Sequence, residues 1–214
     1  METLNSSDGV GGSGLVVVLA APSGSGKTTV IRNVMELDGR LMRAVTCTTR
    51  LPREGEVEGV DYYFLSREEF GRRVEAGEFL EHAEVHGNRY GTLKSEVLER
   101  LAGGRDVLLN IDVQGAASVR RVAGGDPVLR RALVTVFLTT STKAELGVRL
   151  RGRGTEGESD LVRRLGAARE EVSRWGEFDY LLLSGTERED AERLHWILRV
   201  ERMKTVRCTG PWQD

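Results

Sequence analysis

The chain has only two cysteines in 214 residues, Cys47 and Cys208. They are far apart and in no metal-ligand spacing, which excludes a disulfide framework and a cysteine-held metal cluster and points to reduced thiols in a cytoplasmic protein. An excess of charge of one sign is also missing. Lys and Arg number 31 against 33 Asp and Glu, the net charge is -2 and the sequence pI is near 6.0. This is not the basic footprint that a nucleic-acid partner requires. Lysine is scarce, occurring only at 27, 94, 143 and 204, so most cations are arginines and a lone arginine carries little information. The three histidines, His82, His86 and His195, show no ligand or triad spacing. No apolar run is long enough to cross a bilayer, and no internal repeat is visible. The first fourteen residues carry Glu2 and Asp8 and no positive charge, the wrong start for an export signal even though Leu15 to Ala21 is a short apolar run.

What is present begins with that run. Leu15 to Ala20 reads as a buried strand, and Ala21-Pro22-Ser23-Gly24-Ser25-Gly26-Lys27-Thr28-Thr29 follows it, leading into the helical pattern Val30-Ile31-Arg32-Asn33-Val34-Met35. This is the strand, loop and helix of a phosphate-binding loop, G-x-x-x-x-G-K-[ST], with Ala21 in place of the first glycine. Small residues at 24 and 26 let backbone N–H groups curl around anionic oxygens. Lys27 is placed to reach terminal phosphates, Thr28 to ligate magnesium, and the helix start adds its positive dipole end. A second glycine pattern, Gly9, Gly11 and Gly14, fits G-x-G-x-x-G but precedes the strand in a Ser/Gly-rich segment. It reads as a flexible tail, not a dinucleotide site.

Strand and helix signals then alternate. Strands are expected at 43–49, 107–112, 133–139 and 178–184, and helices near 92–102, 114–123, 142–151, 159–175 and 187–204. With the first strand this predicts an α/β fold with a parallel five-stranded sheet flanked by helices. The interval 50–91 breaks the rhythm with Pro52, Gly55, Gly59, Gly77 and Gly87, clustered aromatics and an amphipathic piece at 67–76, and reads as an inserted small lobe of short strands and one helix. The Gly- and Arg-rich stretch 151–158 reads as a mobile flap. Asn110 and Asp112, two apart, are expected to share one face at the carboxyl end of a strand, where ligands sit in such sheets.

Thr46-Cys47-Thr48-Thr49-Arg50-Leu51-Pro52-Arg53-Glu54-Gly55-Glu56, followed by Gly59-Val60-Asp61-Tyr62, gathers arginines, hydroxyls and a tyrosine suited to a second phosphate. The run resembles the nucleoside-monophosphate-binding lobe of guanylate kinases. The likeness continues in order through Gly77-Glu78-Phe79-Leu80-Glu81, Gly87-Asn88-Arg89-Tyr90-Gly91-Thr92, Ile111-Asp112-Val113-Gln114-Gly115-Ala116 and Leu150-Arg151-Gly152-Arg153-Gly154.

The resemblance implies a P-loop kinase core, a lobe binding the monophosphate, a short lid, and transfer of the γ-phosphate of ATP to GMP with Mg2+. It divides the chain into a disordered tail 1–14, a single domain 15–207 and a tail 208–214. Within the domain the core is 15–49, 92–149 and 165–207, the lobe 50–91 and the lid 150–164. Ala21, Pro22, Ser23, Gly24, Ser25, Gly26, Lys27, Thr28 and Thr29 would bind ATP. Arg50, Arg53, Tyr62 and Tyr90 would hold the phosphate of GMP, and Glu81 would accept from guanine N1 and N2 beside Thr46 and Thr92. Asp112 would serve the base or, with Thr28, the magnesium shell. Lys27 and the lid arginines Arg149, Arg153 and Arg164 would carry the transferring charge. Asn110 stands where the family often has an acid, and Ser184 where it usually has an Asn that contacts adenine, which leaves that contact to backbone groups. The implied partners are ATP and GMP, with no nucleic acid and no membrane. Two other readings stand beside this one: a non-catalytic guanylate-kinase-like interaction module, and a kinase of a phosphorylated ribose. Lys27, Thr28 and the lid arginines argue against the first, and Glu81 with its threonines against the second.

Overall fold

Every residue of the first strand, β1 (Val16–Ala20), is buried, and the strand period of two sends alternate residues to opposite layers. In chain order there follow α1 (Lys27–Leu37), β2 (Leu41–Arg43), β3 (Thr46–Thr48), β4 (Tyr62–Phe64), α2 (Arg67–Glu75), β5 (Phe79–Val85), β6 (Asn88–Leu93) and α3 (Lys94–Ala102). The second half contains β7 (Asp106–Asn110), α4 (Val113–Gly124), α5 (Pro127–Ala132), β8 (Leu133–Thr139), α6 (Lys143–Arg151), α7 (Glu158–Ser173), β9 (Tyr180–Leu183) and α8 (Glu187–Arg202). The computed structural model describes residues 13–152 and 158–208. Most of the expected N-terminal tail, Arg153 and most of the expected flap, and the last six residues lie outside these.

Five strands form one sheet in the order β2-β7-β1-β8-β9, and all its neighbours are parallel. Leu15, Val17 and Leu19 pack with Val30, Ile31 and Val34 of α1 and Ala191, Leu194 and Leu198 of α8. Val16 and Val18 face the other way, onto Val97 of α3, Ala116 and Val119 of α4 and Leu129 of α5. A sheet covered on both faces needs strands apolar throughout, which is why β1 shows no polar alternation. The expected α/β fold is thus present. At the closed end of the sheet, Asp106 is fully buried, accepts the Leu15 N–H at 2.8 Å and pairs with Arg202 of α8, which also holds Asp38 at 2.6 Å.

The strand expected over 43–49 is in fact two strands in two sheets. Leu41 to Arg43 extends the parallel sheet, and Thr46 to Thr48 opens a second, four-stranded sheet in the order β4-β3-β6-β5. The seam lies at 44–45, where the Val45 N–H leaves the ladder and donates at 2.9 Å to the buried carboxylate of Glu96. The β-branched run reads the same on either side, so the seam leaves no mark in the pattern. In the second sheet β5 and β6 form a hairpin whose turn is His86-Gly87, both at positive φ. Its core is Cys47, Phe70 of α2, Phe79 and Leu93, with the two phenyl rings stacked at 4.5 Å. Burial pushes the Cys47 thiol up to about 12, so it packs as an apolar side chain. Other differences are small. Helix α5 was not expected; Asp126 caps it and Pro127 starts it, a short turn with too little periodicity to read. The last turn expected of the 159–175 helix is a separate 3-10 turn at Trp175–Glu177.

Candidate active site

All five core strands point their carboxyl ends the same way, and the loops leaving β1, β7, β8 and β9 meet there. The loop after β1 turns twice through the left-handed region, at Gly24 (φ 90) and Gly26 (φ 91). An L side chain would be strained at both, and at Gly24 it would also meet Leu150 at 2.9 Å. Gly26 is the N-cap of α1 and supplies no side chain to close the first turn, so the helix N–H groups face the cleft beside it. Ser25 is 1% exposed and its hydroxyl has no partner among the described residues. Alanine at 21 ends the apolar strand without taking positive φ, which is how the loop tolerates losing its first glycine.

Lys27 begins α1 and donates from Nζ to the Ile111 carbonyl at 3.2 Å. Burial lowers its pKa, opposed by the carboxylates of Glu171 and Asp112. Glu171, on α7, was not singled out from the sequence, where it reads as one more charge on a polar helix; its own pKa is raised, chiefly by burial. Asn110 and Asp112 do not share a strand face. β7 ends at Asn110, and Asp112 is instead the N-cap of α4, its Oδ1 accepting the Gly115 N–H at 2.7 Å. An Asp three residues before an available N–H caps a helix more readily than it extends a strand. That placement puts Asp112 within electrostatic reach of Lys27 on one side and Glu81 on the other.

An open cleft of about 520 Å³ lies beside the loop, between Gly24 and Gly26, Arg149 of α6 and the Ser184-Gly185-Thr186 turn after β9. Arg149 Nη1 donates to Ser184 Oγ at 2.8 Å, and Nη2 to Glu145 Oε1 at 2.6 Å. Arg164 sits half-buried on α7. Thr28 is exposed at the first turn of α1, and the Thr29 N–H is taken by the Gly26 carbonyl at 3.1 Å.

The four-stranded sheet carries the second group. Glu81 is 7% exposed, and Thr92 on the adjacent strand donates its hydroxyl to Oε1 at 2.8 Å. Burial pushes the Glu81 carboxyl up to about 7. Arg50 lies with its guanidinium 5.3 Å from the Tyr62 ring centre, and Tyr62 meets Tyr90 edge-on at 6.2 Å. Thr46 is registered opposite Tyr62 across β3 and β4. Glu56 ties the arginine loop together, accepting from Arg50 Nη2 and from the Arg53 N–H, both at 2.7 Å. Those bonds hold its carboxyl below the usual range, with Arg50 the larger cause. The Arg53 residue itself is exposed. Glu56 sits inside the run quoted above, yet nothing in its spacing marks it as the brace.

A family model described as guanylate kinase matches residues 13–200. The guanylate kinase of Cereibacter sphaeroides is 41% identical over 194 residues, covering 91% of this chain and 90% of that protein. The guanylate kinase of Thermotoga maritima gives the same identity and the same shares. The chain belongs to the guanylate kinase family. The crystal structure of guanylate kinase from Anaplasma phagocytophilum superposes with a TM-score of 0.70 at 34% identity, covering 94% of this chain and 93% of that one. Near-complete coverage in both directions makes this chain a guanylate kinase-family enzyme and does not favour a non-catalytic module or a different acceptor.

Proposed function

We infer that the chain transfers the γ-phosphoryl group of ATP to GMP, giving ADP and GDP, with the donor in the cleft beside α1 and the acceptor against the four-stranded sheet. The observation that carries the acceptor assignment is Glu81, a buried carboxylate oriented by Thr92 within the same sheet as Tyr62 and Tyr90, with Arg50 in the loop that leaves β3. Guanine offers N1–H and N2–H₂ on one edge, and a carboxylate accepts both, whereas adenine leaves a buried acceptor unpaired. Arg50, Arg53, Tyr62 and Tyr90 bind the phosphate, with Thr46 and Thr92 as hydroxyl partners.

On the donor side, the backbone N–H groups of Gly24, Gly26, Lys27 and Thr28 cradle the phosphates and Lys27 exchanges its carbonyl contact for phosphate oxygens. Arg149, Arg153 and Arg164 surround the transferring group with positive charge while water is excluded. Asp112, between the two halves, touches the base or the metal shell. Magnesium fits these residues as an ion carried by the nucleotide. Thr28 and Asp112 offer hard oxygen ligands, and no cluster of three His, Cys, Asp or Glu that could cage a metal occurs among the described residues, a donor set that leaves phosphates and water as the other ligands. When bound, the ion neutralises developing phosphate charge.

The test is ADP release with ATP and each of GMP, AMP, CMP and UMP. Rapid turnover with GMP alone supports the reading, and equal rates with AMP contradict it.

A further inference from the structure

We propose that Asp190 and Ser184 form a relay that holds Arg149 against the phosphate loop before the nucleotide binds, which makes Asp190 a positioning residue for the phosphoryl donor. The proposal rests on the reading that the cleft beside α1 takes ATP. Ser184 is the first residue after β9, and its N–H donates to the Thr139 carbonyl at 2.7 Å, fixing the backbone at the sheet edge. Its hydroxyl has one proton, and that proton goes to Asp190 Oδ2 at 2.7 Å. The oxygen therefore turns its lone pairs toward Arg149 Nη1, which donates at 2.8 Å. The guanidinium sits close to the loop, since a methyl group at Gly26 would come within 3.8 Å of Nη1.

Asp190 is fixed in place. It is 2% exposed, its Oδ1 accepts the Gly185 N–H at 2.8 Å, and Arg193 Nη1 lies 3.9 Å from the same oxygen. A carboxylate so deeply buried needs such partners. The turn leading to it is locked as well, because Thr186 and Glu189 bond each other reciprocally at the start of α8. Among the described residues the other end of Arg149 is held by Glu145, a residue one helical turn away and itself partly exposed, and such a pair fixes a long side chain weakly. Take away the hydroxyl and Arg149 loses its rigid anchor. Keep it, and the guanidinium is already aimed when the donor arrives, so less ordering is left to the binding step. The same arrangement means Ser184 faces the cleft as an acceptor, its proton being committed to Asp190.

Steady-state kinetics with ATP and GMP on Ser184→Ala, Ser184→Thr, Arg149→Ala and the Arg149→Ala/Ser184→Ala double variant test this. Ser184→Ala is expected to raise KM for ATP about tenfold, the scale of one lost hydrogen bond to a charged group. KM for GMP should stay near wild type, the melting temperature should fall because the buried Asp190 loses a donor, and Ser184→Thr should restore KM for ATP. In the Arg149→Ala background, Ser184→Ala should add nothing. Asp190→Asn should follow Ser184→Ala, and since that buried variant can fail to fold, Ser184→Ala carries the test. Additive losses in the double variant, or a silent Ser184→Ala beside a damaging Arg149→Ala, overturn the relay alone. An Arg149→Ala protein with unchanged KM for ATP overturns the donor-cleft reading together with the relay.

Discussion

The two halves of the proposed site are built by different means. The donor half is backbone: a loop of nine consecutive residues whose two left-handed glycines and uncapped helix start create an anion cradle, with Lys27 as its charged side chain. The acceptor half is made of side chains from separate strands. Glu81 meets Thr92 only because β5 and β6 are registered that way, and Arg50 meets Tyr62, and Tyr62 meets Tyr90, only because β4, β3 and β6 lie side by side. The lesson is that a phosphate site can be written in one contiguous stretch because every residue but proline has the same backbone donor. A site that must tell one base from another needs particular side chains at particular distances, and so depends on the tertiary fold.

Breaking the donor half should have the largest effect. Lys27→Ala is expected to lower kcat by about 10³-fold, as loss of a main charge-stabilising donor does, measured by ADP release at saturating GMP. Breaking the acceptor half at its centre comes next. Glu81→Gln should cut kcat/KM for GMP by about a hundredfold, because the amide presents a donor where guanine also donates, and should narrow the ratio of GMP to AMP rates.

Softening the lobe core separates fold from chemistry. Phe70 is fully buried, so Phe70→Ala should cost about 3–5 kcal/mol of stability in denaturant titration and raise KM for GMP, with KM for ATP little changed. The titration of Glu81 gives a smaller, signed effect. Its folded pKa is raised from the ordinary 4.5 to about 7, so the folded protein binds a proton that the unfolded chain releases between those values. Stability from this group is full below about pH 4.5 and lost as pH rises through about 7, roughly 3 kcal/mol in all. GMP affinity runs the other way. It should improve about tenfold from pH 6 to pH 8 as the carboxylate forms, and calorimetry on Glu81→Gln, which keeps only the phosphate titration near pH 6, isolates that component. Smallest is Tyr90→Phe, expected to raise KM for GMP about fivefold by removing the hydroxyl that supports Arg50.

The same contrast decides what was legible in the sequence. β8 is found over the very residues 133–139, and the phosphate loop and α1 follow as read, because each signal is local and continuous. The seam at 44–45 escaped because the residue that diverts the chain, Glu96, is fifty-one positions away. Asp112 was placed on a strand because its capping bond to Gly115 competes with an extended reading that the apolar run before it also supports. Glu56, Glu171 and Asp190 were missed for one shared reason. A carboxylate gains its role from what the fold brings to it, and on a polar helix or turn it looks like any solvated charge.

The most direct test of separate donor and acceptor halves is calorimetric titration of GMP into Lys27→Ala and Glu81→Gln proteins side by side, each checked for turnover. The account predicts that Lys27→Ala binds GMP within about twofold of wild type while its turnover is lost, and that Glu81→Gln loses GMP binding by about a hundredfold. Loss of GMP binding in Lys27→Ala equal to that in Glu81→Gln would contradict it.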